Sequence, residues 1–224
     1  MDITIFGTCR LSNITSNNLN NLITYTHCTK EVIQYIKFLK GELDIPSPYN
    51  TLCFRTAICL NKKIEYNKVF TDIFLYSKIF IIEICSAKKY IHRDFYLQHL
   101  SVDKKSELSK NTPLDILDFT FEKQSDEEIE NDILEIQQLL HPRKIIIVSH
   151  YNSKCNGKYL SARNDLIQLL ETICRKHSIY FINPTFLLDQ EQSMQSDLGH
   201  YTQLGMLFFT RYLNLIIQMH NINE

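Results

Sequence analysis

The stretch IFIIEI at residues 79–84 decides the fold. Six residues of this kind, apolar and β-branched around a single carboxylate, are typical of a strand that is buried on both faces of a sheet. Similar runs recur at residues 2–6, 144–148 and 178–182, and segments with helical periodicity separate them. Alternation of buried strands with helices predicts an α/β fold, in which a mostly parallel sheet carries helices on both faces.

Four amphipathic segments fit the predicted helices. The first begins near Thr29 and ends at Gly41, and the second begins at Ser125, where Glu128 completes a capping box. Two longer segments, at residues 159–177 and 201–219, repeat apolar side chains three and four positions apart. These helices and the four strands predict a three-layer α/β/α arrangement.

Length and composition indicate one globular domain over residues 1–224. The chain has 24 basic and 25 acidic residues with 44% hydrophobic content, which is a globular composition. A net charge of -1 provides no basic field for nucleic acid, so we expect a small-molecule partner. Residues 101–124 are polar and aperiodic, and they are interpreted as a surface insertion.

The cysteine pattern, the N-terminus and the apolar runs indicate the cellular location of the protein. Seven irregularly spaced cysteines do not form the dense, even framework of a small secreted domain, so we expect thiols. The N-terminus has no signal-peptide pattern, and the apolar run at residues 79–85 is too short to span a membrane. We therefore expect a cytoplasmic protein without a membrane span.

Chemically useful residues follow the predicted strands. GTCR occupies residues 7–10, CSAKKY residues 85–90 and SHYN residues 149–152, while DLGH at residues 197–200 precedes the last helix. Ligands of open parallel sheets bind beyond the carboxyl ends of the strands. We therefore expect these segments to meet at one edge of the sheet.

Cys9 and the pair Asp197 and His200 are the sharpest candidates. A cysteine in a turn after glycine, near a possible helix start and beside Arg10, is a candidate nucleophile. The alternative is a small buried hydrophobic residue. Asp197 could orient one imidazole nitrogen of His200 so that the other acts as a base. The alternative here is a helix cap followed by a surface histidine.

The order of these segments resembles the SGNH/GDSL hydrolase superfamily. In that superfamily a nucleophile follows the first strand, an asparagine follows a middle strand and an Asp-x-x-His block precedes the last helix. Cys9 stands at the place of the usual serine. In this respect the sequence is similar to two cysteine-bearing branches of the superfamily, the GSCFA family and the WcbI-type polysaccharide biosynthesis proteins. The third-block Gly-x-Asn-Asp of the superfamily is replaced by SHYN at residues 149–152.

This resemblance implies an SGNH-like domain with flavodoxin-like strand order and an acetyl-CoA co-substrate. Cys9, Asp197 and His200 would be catalytic. Four further residues would line the oxyanion and substrate site, and four cations would bind the cofactor diphosphate: Asn152, Ser86, His150 and Tyr151 in the first group, and Arg10, Lys88, Lys89 and Arg163 in the second. No metal site is expected, because metal-ligand spacings such as Cys-x-x-Cys are absent.

The predicted function is acetyl transfer from acetyl-CoA to an amino or hydroxyl group of a sugar, free or nucleotide-linked, in glycan biosynthesis. An ester or thioester hydrolase that uses the same triad is the first alternative. A sugar- or CoA-binding module with an inert Cys9 is the second. The sequence leaves open whether Cys9 forms an acyl-enzyme or only lines the site.

Overall fold

Four parallel strands form the central sheet of the described residues, as seen in a computed structural model. The structure describes residues 3–11, 24–46, 49–54, 59–60, 65–66, 68–98, 119–188 and 196–222. Its elements in chain order are β1 (Ile3–Phe6), a 3-10 turn (Cys9–Leu11), α1 (Thr29–Leu39), α2 (Asn50–Cys53), β2 (Cys59–Leu60), β3 (Glu65–Tyr66), α3 (Lys68–Tyr76), β4 (Ile79–Ile84), β5 (Lys88–His92), β6 (Phe95–Leu97), β7 (Thr120–Lys123), α4 (Asp126–Leu140), β8 (Lys144–Ser149), β9 (Lys154–Cys155), β10 (Lys158–Tyr159), α5 (Ser161–Lys176), β11 (Tyr180–Ile182), α6 (Pro184–Leu188) and α7 (Gln203–Ile222).

The strand order of the central sheet is β1-β4-β8-β11, and every neighbouring pair is parallel. Ile79 of β4 lies opposite Ile3 on one side and Lys144 on the other, so residues 79–84 form an inner strand. All six residues of this strand are buried. The α/β class and the mostly parallel sheet are confirmed. A flavodoxin-like order would add a strand beyond β1, and none of the described residues forms it.

Helices cover both faces of the sheet. Phe80 and Ile82 face a core that they share with apolar residues of α1, α4 and α5. Ile79 and Ile81 face the opposite core, against which α7 packs its apolar side chains. Successive side chains of a strand alternate between faces, so one apolar run supplies both cores. The result is the predicted three-layer arrangement.

Local signals explain where two of these helices begin and end. Gly41 follows α1 with φ of 73°, and the N–H of Glu42 donates to the carbonyl of Lys37 at 2.9 Å. This is the left-handed glycine ending that the sequence predicts. At the start of α4, the Ser125 hydroxyl accepts a bond from the Glu128 N–H at 3.1 Å. The predicted N-cap is therefore confirmed.

A small antiparallel sheet, in the order β6-β5-β7, follows the carboxyl end of β4. Residues 101–118 of the predicted polar insertion lie outside the described residues. The end of that segment forms β7, whose four residues are all exposed. The insertion thus contributes an edge strand to the small sheet. Across the described part of the chain, no helix has the length and apolarity that a membrane crossing requires.

Candidate active site

The thiol turn (Gly7–Leu11) follows β1 at the carboxyl edge of the central sheet. Its Cys9 is partly exposed and begins a 3-10 turn that spans Cys9–Leu11. A helix continuing from this turn would run into residues 12–23, which lie outside the described residues. Gly7 has a steric role, because a Cβ there would lie 2.5 Å from a Leu11 methyl carbon and 3.1 Å from the Cβ of Glu83.

A buried ion pair lies directly behind this turn. Glu83 of β4 is 1% exposed and accepts hydrogen bonds from the Thr8 N–H at 2.8 Å, the Thr8 hydroxyl at 2.6 Å and the Arg10 Nε at 2.7 Å. Burial alone would raise the pKa of this carboxyl. The charge of Arg10 and the hydrogen bonds outweigh burial and lower the pKa of Glu83 to about 2. Glu83 is therefore ionised at neutral pH, with Arg10 as its counter-ion.

Asp197 and His200 form a hydrogen-bonded pair in the dyad turn (Ser196–His200). The Nδ1 of His200 lies 2.8 Å from one carboxylate oxygen of Asp197. The other oxygen accepts the N–H groups of Gly199 at 2.6 Å and His200 at 2.8 Å. The backbone bond from Gly199, followed by the bond from the His200 imidazole, holds the pKa of Asp197 below its ordinary value. Because a carboxylate only accepts, the imidazole donates from Nδ1, and its Nε2 is available as a base.

Four side chains from outside the dyad turn hold the carbonyl groups of residues 197–200. The Tyr151 hydroxyl lies 2.6 Å from the carbonyl of residue 197 and 2.9 Å from that of residue 200. Ser153, at 3.2 Å, and Arg163 donate to the carbonyl of residue 198. Arg10 donates to the carbonyl of residue 199 at 2.9 Å. The dyad turn is thus fixed from the segment after β8, from α5 and from the thiol turn.

Arg10 joins the thiol turn to the dyad turn. Its Nε bonds Glu83, its Nη1 bonds the Gly199 carbonyl, and its Nη2 lies 3.0 Å from the sulfur of Cys85. The segments after β1 and β4 and the segment before α7 therefore meet at one edge of the sheet. The convergence expected from parallel topology is confirmed for these three segments.

His150 is a neutral imidazole beside the ion pair. It is 8% exposed, and its Nδ1 lies 2.6 Å from the Tyr151 carbonyl, which can only accept. Burial, followed by the positive charges of Arg10 and Arg163, lowers the pKa of His150 to about 3. The proton therefore stays on Nδ1 and Nε2 is an acceptor. A side chain of such low basicity suits hydrogen bonding to substrate better than proton abstraction.

Two residues predicted for the oxyanion site have structural partners. The amide of Asn152 donates to the Leu160 carbonyl at 3.1 Å and accepts the Leu160 N–H at 3.2 Å. This pairing favours a role in bracing the start of α5. The N–H of Ser86 bonds the His27 carbonyl at 3.0 Å, and its hydroxyl accepts the Lys88 N–H at 2.9 Å. These contacts favour turn formation over the predicted oxyanion role for both residues.

The predicted cofactor cations have different surroundings. Arg10 is buried and bonded within the protein, which argues against its predicted role in binding a diphosphate. Lys89 lies 2.6 Å from a Glu128 oxygen, so its charge is neutralised on the small sheet. Lys88 is exposed on the same strand. Arg163 is half-buried beside the dyad turn and donates to the Leu198 carbonyl.

Within the residues that the structure describes, no group of three or more His, Cys, Asp or Glu side chains is positioned to hold a metal ion. The chemistry available at the edge is a thiol, an imidazole with an oriented carboxylate, and hydrogen-bond donors. This set suits nucleophilic acyl chemistry.

Comparison with known proteins gives one family and one relative. The family described as TviD N-terminal domain matches residues 1–113 and 103–208 of this chain. A Salmonella typhi protein named Vi polysaccharide biosynthesis protein TviD is 25% identical to this chain over an alignment 254 positions long, gaps included. The alignment covers 90% of this chain. The chain spans 30% of the length of that relative. No solved structure matches the chain significantly.

Proposed function

Because this chain belongs to the TviD N-terminal domain family, we propose that it is an enzyme of polysaccharide biosynthesis that transfers an acetyl group from acetyl-CoA to a sugar. The acceptor is a hydroxyl or amino group of a free or nucleotide-linked sugar. The printed name of the relative supports the polysaccharide context. The resemblance to cysteine-bearing SGNH branches supports acyl transfer.

One observation carries the proposal. The imidazole of His200 is bonded to Asp197 at 2.8 Å, and Arg10 ties their turn to the turn that carries Cys9. A base that is oriented by a carboxylate, on a turn bonded to the turn that carries a thiol, supplies the groups that nucleophilic acyl transfer requires. Asp197 and His200 are also more than half exposed, so a bulky sugar can reach the imidazole.

In the covalent route, Cys9 attacks the thioester carbon of acetyl-CoA. The new C–S bond forms as the bond to coenzyme A breaks, and the departing thiolate receives the Cys9 proton through His200. The sugar group then attacks the acetylated Cys9 and gives its proton to His200, which restores the thiol. Asp197 keeps the productive tautomer of His200 throughout. In the direct route, the sugar attacks acetyl-CoA with His200 as base, and Cys9 lines the site.

The decisive experiment is intact-protein mass spectrometry with acetyl-CoA and no acceptor. The covalent route predicts the mass of one added acetyl group, which peptide mapping assigns to Cys9. Cys155→Ser is the matched control, because Cys155 is an exposed thiol on β9 and its loss should leave the adduct unchanged. No adduct, together with an active Cys9→Ser enzyme, would favour the direct route.

The dyad has its own test. General-base catalysis is worth on the order of 10²–10⁴-fold, so His200→Ala should reduce turnover with acetyl-CoA and a sugar panel by about that factor. Asp197→Asn should reduce turnover by no more than His200→Ala, because the carboxylate acts through the imidazole. Full activity in His200→Ala would reject the mechanism.

Hydrolysis is the second candidate function, and the solvent exposure of the dyad favours it over a purely binding role. With water as acceptor, the same residues would release acetate from acetyl-CoA or p-nitrophenol from p-nitrophenyl acetate without a sugar. A transferase would instead need the acceptor for steady turnover. A binding module would show neither reaction and would keep ligand affinity in the His200→Ala variant.

A further inference from the structure

We propose that Glu83 is a positioning residue that aligns the thiol turn with the dyad turn through Arg10. The inference rests on the proposed function, since it assigns the reacting groups to these two turns. Glu83 makes no contact with the dyad itself. It acts by fixing the groups on either side of Cys9 and by aiming Arg10.

Glu83 bonds the residues on both sides of Cys9. Thr8 precedes Cys9 and gives Glu83 two hydrogen bonds, at 2.8 Å from the N–H and 2.6 Å from the hydroxyl. Arg10 follows Cys9 and gives it a third bond, at 2.7 Å. One carboxylate therefore holds the residue before and the residue after the thiol. The backbone at Cys9 cannot shift without breaking a charge-assisted hydrogen bond.

The bond to Glu83 also sets the direction of the Arg10 side chain. A guanidinium is planar, so fixing Nε on Glu83 also fixes where the other two nitrogens lie. Nη1 then meets the Gly199 carbonyl at 2.9 Å, one residue before His200. A lysine at this position has a single charged nitrogen and cannot satisfy Glu83 and Gly199 with the same geometry. The carboxylate thereby controls the position of the base from the opposite side of the site.

Glu83 is held in an inner strand of the central sheet. It lies in β4, which pairs with β1 on one side and β8 on the other, and its direct partner in β8 is Val148. Inner strands are among the most rigid elements of a fold, so the carboxylate has a fixed reference point. A charge among apolar neighbours is costly to bury unless it is paired. The contacts to Thr8 and Arg10 supply that pairing.

The test uses Glu83→Gln and Arg10→Lys. Glu83→Gln keeps the shape of the side chain but removes the charge that orients Arg10. Arg10→Lys keeps the positive charge but removes the planar guanidinium that bonds Glu83 and Gly199 at the same time. Asp132→Asn is the matched control, because Asp132 is also a buried carboxylate, bonded to Lys30 at 2.7 Å and to Thr29 at 2.6 Å, away from both turns. Thermal unfolding identifies any variant that does not fold, and either test variant suffices.

Two measurements are made on each variant. The first is acetyl transfer: both test variants should lose about 10²-fold in kcat, since small misplacements of reacting groups cost that much, with the KM for acetyl-CoA within about threefold. The second is hydrogen exchange of the Gly199 and His200 amides, which bond Asp197 within the dyad turn. Their exchange should accelerate at least about tenfold when Arg10 no longer holds the turn. Asp132→Asn should change neither.

The outcomes separate this inference from the proposed function. Faster exchange in both test variants, with no acyl transfer by the unaltered protein, supports the positioning role and rejects the proposed reaction. Unchanged exchange and unchanged kcat in folded Glu83→Gln and Arg10→Lys overturn the positioning role and leave the reaction intact. Equal losses in Asp132→Asn also overturn it, because any buried carboxylate would then have the same effect.

Discussion

Glu31 gives the fold a pH dependence that a single substitution should remove. Its carboxyl lies in the first turn of α1, is 3% exposed, and accepts the His27 N–H at 3.0 Å. Burial is the main cause of a pKa near 8 for Glu31, against an ordinary value of 4.5. Between these two values the folded protein keeps a proton that the unfolded chain has released. Raising the pH through this window therefore favours unfolding.

The size of the effect follows from the shift. One pKa unit corresponds to about 1.4 kcal/mol, so a rise from pH 6.5 to pH 8 should lower the free energy of unfolding by roughly 2 kcal/mol. His150, whose pKa falls from 6.5 to about 3 on folding, is half protonated in the unfolded chain at pH 6.5. Raising the pH to 8 therefore returns about 0.4 kcal/mol of stability through His150, equally in wild type and in a Glu31 variant, so this contribution cancels between them. The pH window lies above the range in which Glu83 takes up a proton.

The assay is urea unfolding of wild type and Glu31→Gln at pH 6.5 and pH 8, followed by far-ultraviolet circular dichroism. The neutral amide can still accept the His27 N–H, so the variant should lose the roughly 2 kcal/mol difference between the two pH values. Glu42→Gln changes an exposed glutamate and should keep the wild-type dependence. Parallel pH dependence in wild type and Glu31→Gln would refute the assignment.

Three further substitutions test the surroundings of the site. Gly7→Ala should destabilise the fold by about 1–3 kcal/mol in urea unfolding, because the new Cβ would lie 2.5 Å from a Leu11 methyl carbon. Tyr151→Phe removes the hydroxyl that bonds two carbonyls of the dyad turn. It should lower the free energy of unfolding by about 1–3 kcal/mol and accelerate amide exchange in that turn. Unchanged exchange would show that the hydroxyl does not hold the turn in place. Asn152→Ala should lower the free energy of unfolding by a similar amount, because both bonds to Leu160 are lost, and kcat should be largely kept. If Asn152 instead stabilises an oxyanion, its loss would reduce kcat by about 10²–10³-fold.

The central sheet was predictable because its signal is local. Strands buried on both faces have continuous apolar runs, and residues 79–84 and 144–149 match the predicted boundaries within one residue. Helix ends were equally accessible, since Gly41 and Ser125 act within one turn of their own position. Whether a further strand pairs with the outer edge of β1 could not be predicted from the sequence, because strand pairing depends on contacts between distant parts of the chain.

The meeting of the segments at one sheet edge was predictable from parallel topology, whereas individual side-chain contacts were predictable only between residues close in sequence. Asp197 and His200 lie three apart, and their hydrogen bond follows from that spacing. Glu83 could be recognised as an unusual charge in an apolar strand, but its partner Arg10 lies on another strand end and is found only through the sheet register. The hydroxyl of Tyr151 bonds backbone carbonyls, and such contacts leave no pattern in the sequence.

Chain order and sheet pairing together set when the candidate site assembles during synthesis. β1 leaves the ribosome before β4 and β8, yet Ile3 of β1 pairs with Ile79, which pairs in turn with Lys144. At roughly 5–20 residues per second, the nascent chain carries Cys9 for on the order of ten seconds before residues 196–200 exist. Throughout that interval Asp197 and His200 are missing, so a growing or prematurely terminated chain contains the thiol without the dyad. Assembly of the candidate site is thus a late event in the synthesis of each molecule.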